Sequence, residues 1–269
     1  MSRFSRDRQR LTADPGEKNR RPLRLYVEAP LAVGSAVALD QAQAHYLTNV
    51  MRRRVGDPVA LFNGIDGEWF ARIGDIRPGR GGMLEVESRA RPQIAEPDIW
   101  LMMAPVKRVP IDLITVKATE LGASLLWPVI TQHAVVQRVN LRRMRANAVE
   151  AAEQCRRLSV PACRSPTALA EALEGWPAER ILLVCDERGG NEMIHQVLTR
   201  SKAESWAIMV GPEGGFTDEE FALLRGLPQC RFAGLGPRIL RAETAAIAAL
   251  ACWQSIHGDW RENPPPSKS

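Results

Sequence analysis

The spacing of apolar side chains divides this chain into two dissimilar parts. From Leu23, "LRLYVE" alternates apolar and polar residues like a half-buried strand. "QAQAHYLTNVMRR" follows, with Ala44, Leu47, Val50 and Met51 recurring on one helical face. "PVALFNGIDGEWFARIGDI" then holds two strand-like runs around Asn63-Gly64 and Asp66-Gly67, dipeptides that favour hairpin turns. A turn over Gly79–Gly82 leads to a further strand, Met83–Val86. Short strands punctuated in this way predict a small β-barrel of roughly 70 residues. "RPQIAEP" (91–97), with two prolines and no period, reads as a linker.

Beyond the linker, strands and helices alternate. "IWLMMA", "LLWPVI", "ILLVCDE" and "SWAIMV" are apolar runs of strand length. Between them lie "PIDLITVKATELG", a helix with Pro110 near its first position and Gly122 as its stop, a long helix over Leu141–Leu158, and a helix over Glu192–Thr199. Such alternation predicts an α/β domain whose parallel sheet is buried on both faces. Ligands in that architecture sit at the carboxyl ends of the strands.

With 269 residues and 45% hydrophobic content, the chain can support two ordinary cores. A net charge of +5 and a pI near 9.2 favour a polyanionic partner over a membrane. No apolar run reaches membrane-spanning length and the N-terminus lacks a signal-peptide core, so a cytoplasmic location is expected. Residues 1–22 are Arg-rich and aperiodic, which predicts a disordered basic tail. Residues 259–269 form a second tail beyond the last periodic segment. Five cysteines without a close pair, and four scattered histidines, argue against a disulfide framework and against a metal site. Cys185, Cys230 and Cys252 lie in apolar contexts and read as small core residues.

Candidate chemistry concentrates in two stretches, "IMVGPEGGFTDEE" (208–220) and "AGLGPRILRAETAAIAAL" (233–250). Each is an apolar run that breaks into a Gly/Pro turn and then starts a helix. Thr217 and Glu220 have capping-box spacing, and Glu243 sits where a first helical turn favours negative charge. Neither turn carries the Lys-Ser/Thr of a phosphate loop, and "GLGPRI" lacks the third Gly of a dinucleotide fingerprint. Glycines without Cβ atoms let a flat neutral ring approach the backbone closely. Either turn alone is equally a strand–turn–helix corner.

The pair "GPEGGFTDEE" and "LGPRILRAETAAIAAL" closely resembles the RsmE family of bacterial ribosomal RNA methyltransferases, in the SPOUT superfamily. "KATELGASLLWPVITQHAVV" and "EAAEQCRRLSVP" resemble family segments of the same order, with Lys117, Glu120, Glu153, Gln154 and Arg157 at matching places. "AHYLTNVMRRRVGD" with "LFNGIDGEW" resembles the family's PUA-like domain, so the likeness runs from Leu23 to Trp253. It departs from the family at Arg156, where a Gly is frequent, and at Ala242, where a Thr is frequent.

The resemblance implies an α/β fold: a SPOUT-type, trefoil-knotted, Rossmann-like C-terminal domain (98–258) with a parallel sheet. A PUA-like β-barrel (23–91) that grips RNA precedes it across a linker (92–97). The implied activity is methylation of N3 of a uridine in 16S ribosomal RNA of the small subunit, from S-adenosyl-L-methionine, by a homodimer without metal. The implied cofactor set is Val210, Gly211, Pro212, Glu213, Gly214, Leu235, Gly236, Ile239, Leu240, Thr244 and Ala245. In-line methyl transfer asks mainly for positioning, but N3 of uridine carries a proton. Arg241 is therefore the candidate cation for the developing charge, with Glu213 or Glu243 the base, or either its ion-pair partner. Phosphate contacts are expected from Arg52, Arg53, Arg54, Arg138, Arg142, Arg156 and Arg157, although a solvated helix face would carry such arginines too. Two other readings compete. One is a methyltransferase of the same superfamily acting on tRNA or a ribose 2′-OH. The other is a non-catalytic RNA-binding assembly factor.

Overall fold

The computed structural model describes residues 22–261 except 78–79, 106–107, 135 and 137. The N-terminal tail (save Pro22) and residues 262–269 of the C-terminal one thus lie outside the described residues. Residues 259–261 of the latter form a 3-10 turn.

The N-terminal unit is a five-stranded sheet built from β1 (Leu23–Tyr26), β2 (Ala36–Leu39), β3 (Pro58–Phe62), β4 (Glu68–Arg77) and β5 (Gly81–Arg91). Their order is β1-β3-β4-β5-β2, antiparallel except for the parallel pair β1–β3. The β3–β4 connection is the hairpin that Asn63-Gly64 and Asp66-Gly67 predict. Asn63 Oδ1 accepts from the amides of Ile65 and Asp66, while Gly64 and Gly67 both have positive φ. The sheet curls around Leu25, Val37, Leu61, Ile73 and Leu84. Between the two ends of the path, β1 and β2, no ladder is formed among the described residues.

The expected helix after β2 departs from its pattern. Asp40 caps α1 (Gln41–His45) through a complete capping box, but the next turn, Tyr46–Val50, is a π-helix. The wider turn breaks the apolar face. Ala44 and Leu47 are fully buried, whereas Val50 and Met51 point to solvent.

The second unit is a parallel sheet of β6 (Ile99–Met103), β7 (Leu125–Ile130), β8 (Ala162–Cys163), β10 (Arg180–Cys185), β11 (Ser205–Val210) and β12 (Cys230–Ala233). The short β9 (Thr167–Ala168) pairs with the end of β7. The order is β12-β10-β11-β6-β7-β8. The helices are α2 (Arg108–Glu120), α3 (Leu141–Cys155), α4 (Leu169–Leu173), α5 (Ile194–Arg200), α6 (Asp218–Gly226) and α7 (Ala242–Ile256). Alternate strand residues feed two cores, one with Ile114, Trp206, Ile208, Ala246 and Trp253, the other with Met102, Trp127, Val184, Met209 and Phe221. Both faces are therefore covered, which is why the strands read as unbroken apolar runs. Helix α3 stops at Cys155, short of Leu158, because Arg156 takes a left-handed conformation at φ 68°. Cys185 and Cys230 are buried and Cys252 half-buried.

Arg24 of β1 joins the two units. Its Nε donates to Glu68 Oε1 at 2.5 Å, and its other nitrogens donate to the carbonyls of Ala152, Glu153 and Arg157 at the end of α3. Arg91 reaches Glu68 from the other side. Tyr26 N–H donates to Glu153 Oε1 at 2.9 Å. Burial pushes the Glu153 carboxyl up to about 7, against the lowering effect of the Tyr26 bond and of Arg24.

Candidate active site

The strands β10, β11 and β12 are adjacent and parallel, so their carboxyl ends release three loops at one end of the sheet. These loops enclose a cavity of about 400 Å³. Its walls come from residues 185–193 after β10, 210–214 after β11, and 234–240 after β12, with Ala242 and Ala245 from the first turns of α7. The two glycine-bearing turns thus face a single space.

The loop after β11 is fixed from below. Pro212 O accepts from Gly215 N–H in a tight turn. Thr217 and Glu220 form the predicted capping box at the start of α6. The same buried Glu220 also accepts from Gln132 N–H at 2.8 Å, tying this loop to the one after β7. His133 Nδ1 lies 3.0 Å from Gly214 O and 3.1 Å from Gly215 O. Both neighbours are acceptors, so the ring carries its proton on Nδ1.

Two glycines of this loop answer to protein packing. A Cβ at Gly211 would stand 2.8 Å from the Phe216 ring, and one at Gly214 would stand 3.1 Å from His133 Cβ. These two do less to open room for a ligand than to let the turn fold onto its own supports. On the loop after β12, Gly236 has φ 109° with nothing near its missing side chain. There the glycine serves the backbone turn itself.

Ten of the eleven residues expected around a cofactor line this cavity: Val210, Gly211, Pro212, Glu213, Gly214, Leu235, Gly236, Ile239, Leu240 and Ala245. Thr244 is exposed on α7 and lies off the cavity wall, because one helical step separates it from inward-facing Ala245. Among the catalytic candidates, Glu213 lines the cavity. Arg241 is the exposed N-cap residue of α7, and Glu243 is half-buried in its first turn; neither forms the wall. Both flank Ala242, which does.

The third wall was not anticipated. Asp186 and Glu187 follow directly on β10 in "CDERGGN", and Asp186 is buried. Burial alone would raise its carboxyl, but bonds from Arg188 and Asn191 outweigh it and hold the group below its ordinary range. Arg188 stacks over Phe221 and also approaches Asp218, which ties this loop to the start of α6. Met193 and Arg238 complete the wall. The one sequence sign was an acid pair and two glycines immediately after an apolar strand.

The cavity suits a nucleoside that carries a short polar chain. Its volume lies in the small-ligand range. The amides of Leu235, Gly236, Ile239 and Leu240 make no backbone hydrogen bond among the described residues, so they are available to a ring edge.

The basic candidates lie elsewhere. Arg52, Arg54, Arg138, Arg142 and Arg156 are exposed and Arg53 is half-buried. Arg157 is different: it donates to Thr119 O, Ala123 O, Ser159 and Glu96, and its side chain is almost covered. Its charge is spent inside the protein, so the structure gives it no surface for a phosphate. Arg143 and Arg145 pair with Asp112 and Glu28.

Comparison with known proteins adds to this geometry. Residues 94–254 match the RNA methyltransferase domain family, and residues 39–80 match the RNA methyltransferase PUA domain family. Ribosomal RNA small subunit methyltransferase E of Rickettsia conorii is 33% identical over 85% of this chain and 93% of its own length. The protein of the same name from Synechocystis is 32% identical over 85% of this chain and 76% of its own. The Neisseria gonorrhoeae enzyme of that name, crystallised with S-adenosyl methionine, superposes with a TM-score of 0.81 at 28% identity. That match covers 89% of this chain and all of the other.

Proposed function

Because this chain belongs to the ribosomal RNA small subunit methyltransferase E family, we propose that its cavity takes S-adenosylmethionine and that it methylates N3 of a uridine in 16S ribosomal RNA. It is an S-adenosylmethionine-dependent ribosomal RNA methyltransferase; the target atom is the finer reading. The observation that carries the proposal is that two glycine-bearing turns meet each other and the loop after β10 around one cavity at the strand ends.

The cofactor supplies an electrophilic methyl group, and the residues of the chain do the rest. The free amides of Leu235, Gly236, Ile239 and Leu240 hold the base edge, and the 211–214 turn lies along the remainder. Catalysis is then mostly alignment of methyl group and acceptor. The N3 proton must leave as charge builds on the uracil ring, and a fixed cation at the mouth lowers that cost. Arg241, beside Ala242 of the wall, is assigned this role, with Glu213 or Glu243 accepting the proton. Residues 23–91 serve as the RNA-gripping unit and 98–258 as the methyltransferase unit. The return of α7 from edge strand β12 to pack on α2, α5 and β6 supports a knotted crossing. The partly buried side of α7, with Ile247, Ala248 and Ala251, is the face that would meet a second copy in a homodimer. A cytoplasmic location fits this activity, and no helix of the described residues is long and apolar enough to cross a membrane.

The test is methylation of small-subunit particles and, separately, of tRNA with the purified protein, followed by nucleoside mass spectrometry. N3-methyluridine is expected. A ribose-methylated nucleoside, or modification of tRNA alone, would overturn the N3 assignment.

A further inference from the structure

Residues 50–55 combine three features that packing within this chain does not explain. The π-helical turn Tyr46–Val50 throws Val50 outward, and Arg52 then adopts φ 53°, a left-handed conformation uncommon for a side-chain-bearing residue. π-turns and such outliers concentrate where a side chain must be aimed. Three apolar side chains of this short segment stand in water: Val50 is 59%, Met51 37% and Val55 61% exposed. Interleaved with them are Arg52, Arg53 and Arg54, none of which has a carboxylate partner among the described residues. By contrast Arg72, Arg91, Arg143 and Arg145 are all paired. Arg53 Nε is buried and makes no hydrogen bond. The segment is also held in place. Met51 N–H donates to Tyr46 O, Arg53 N–H to Leu47 O, Arg54 N–H to Asp57 Oδ2 and Gly56 N–H to Ile73 O.

We propose that residues 50–55 are a preformed seat for an unpaired stretch of RNA. Arg52 and Arg54 take phosphates, while Val50, Met51 and Val55 take the face of an unstacked base. The cations alone would suit any polyanion. The apolar residues between them suit only a strand whose bases are turned out, since duplex RNA hides its base faces and offers backbone and groove edges. Apolar side chains that insert against bases are a recurring device of nucleic-acid binding proteins. The proposal rests on the reading that the substrate is RNA, and it adds that this unit selects an opened strand.

The test measures binding of the full-length protein to a fluorescein-labelled oligouridylate and to an RNA duplex of equal length, across a salt series. The wild type is expected to prefer the single strand. Val50→Ser with Met51→Ser should weaken oligouridylate binding about tenfold at every salt concentration while leaving the salt slope unchanged. Arg52→Gln should instead flatten the slope by about 0.7. Val55→Ser provides a second apolar variant, and light scattering checks the assembly state of each. Unchanged affinity in the apolar variants, an equal loss on duplex, or a change of oligomeric state would each overturn the proposal. Calorimetry with S-adenosylmethionine on the same proteins separates this failure from failure of the enzymatic reading, which would show as no cofactor binding in the wild type.

Discussion

Gly211 shows how a single position can matter for a reason other than the obvious one. Its missing side chain makes room for the Phe216 ring, so Gly211→Ala should push the turn off its support. A loss of about 1–3 kcal/mol of stability is expected from denaturant titration, together with weaker S-adenosylmethionine binding by calorimetry. Unchanged values of both would contradict the contact. His133 acts on the same turn through its Nδ1 proton, shared by two glycine carbonyls. His133→Ala should weaken cofactor affinity while leaving oligouridylate binding as it was. Glu153 makes a third prediction, on pH. Its carboxyl is raised to about 7 in the folded protein, chiefly by burial. Below the ordinary carboxylate range, folded and unfolded chains both hold the proton. Between that range and about 7 only the folded chain does, so stability falls as pH rises through this window and stays lower above it. Glu153→Gln should flatten that dependence, giving a higher urea midpoint than wild type at pH 8 and a similar one at pH 5. An unaltered pH profile would show that the carboxyl is not the group responsible.

At the scale of elements, most of the frame was legible because burial writes itself into the period. The runs "IWLMMA", "LLWPVI", "ILLVCDE" and "SWAIMV" are strands β6, β7, β10 and β11, and the Thr217/Glu220 capping box starts α6 as its spacing predicts. What the pattern could not carry were interruptions set by backbone conformation. The π-turn over Tyr46–Val50 leaves no mark in the apolar spacing, and the early stop of α3 depends on Arg156 entering a left-handed conformation. The site was half legible. Glycine and proline mark the loops after β11 and β12, but the wall after β10 consists of polar residues whose role appears only when β10 is found between β11 and β12. Arg157 lies in an Arg-rich stretch that suggests a phosphate contact, and only the fold shows that its donors end on Thr119, Ala123 and Glu96. The joint between the two units sits on Arg24. Arg24→Met leaves Glu68 with one cation where it had two and strips the end of α3 of its donors. A cost of about 3–5 kcal/mol is expected in the unfolding free energy, and a cost below 1 would show that the joint is solvated.

The whole molecule places a β-sheet unit beside an α/β unit whose three strand ends share one cavity. The activity follows if that cavity holds the methyl donor and the mouth holds the reacting base. Arg241→Ala should retain cofactor affinity and lose methyl transfer in a single turnover, because the guanidinium is assigned to the base and not to the donor. A normal single-turnover rate would remove Arg241 from the reaction. The central claim, that the loops after β10, β11 and β12 close on one S-adenosylmethionine, is read most directly by hydrogen exchange with and without the cofactor. The account predicts slower exchange in residues 185–193, 211–217 and 234–242 together and none in 50–55. Protection of one loop alone, or of none, would contradict it.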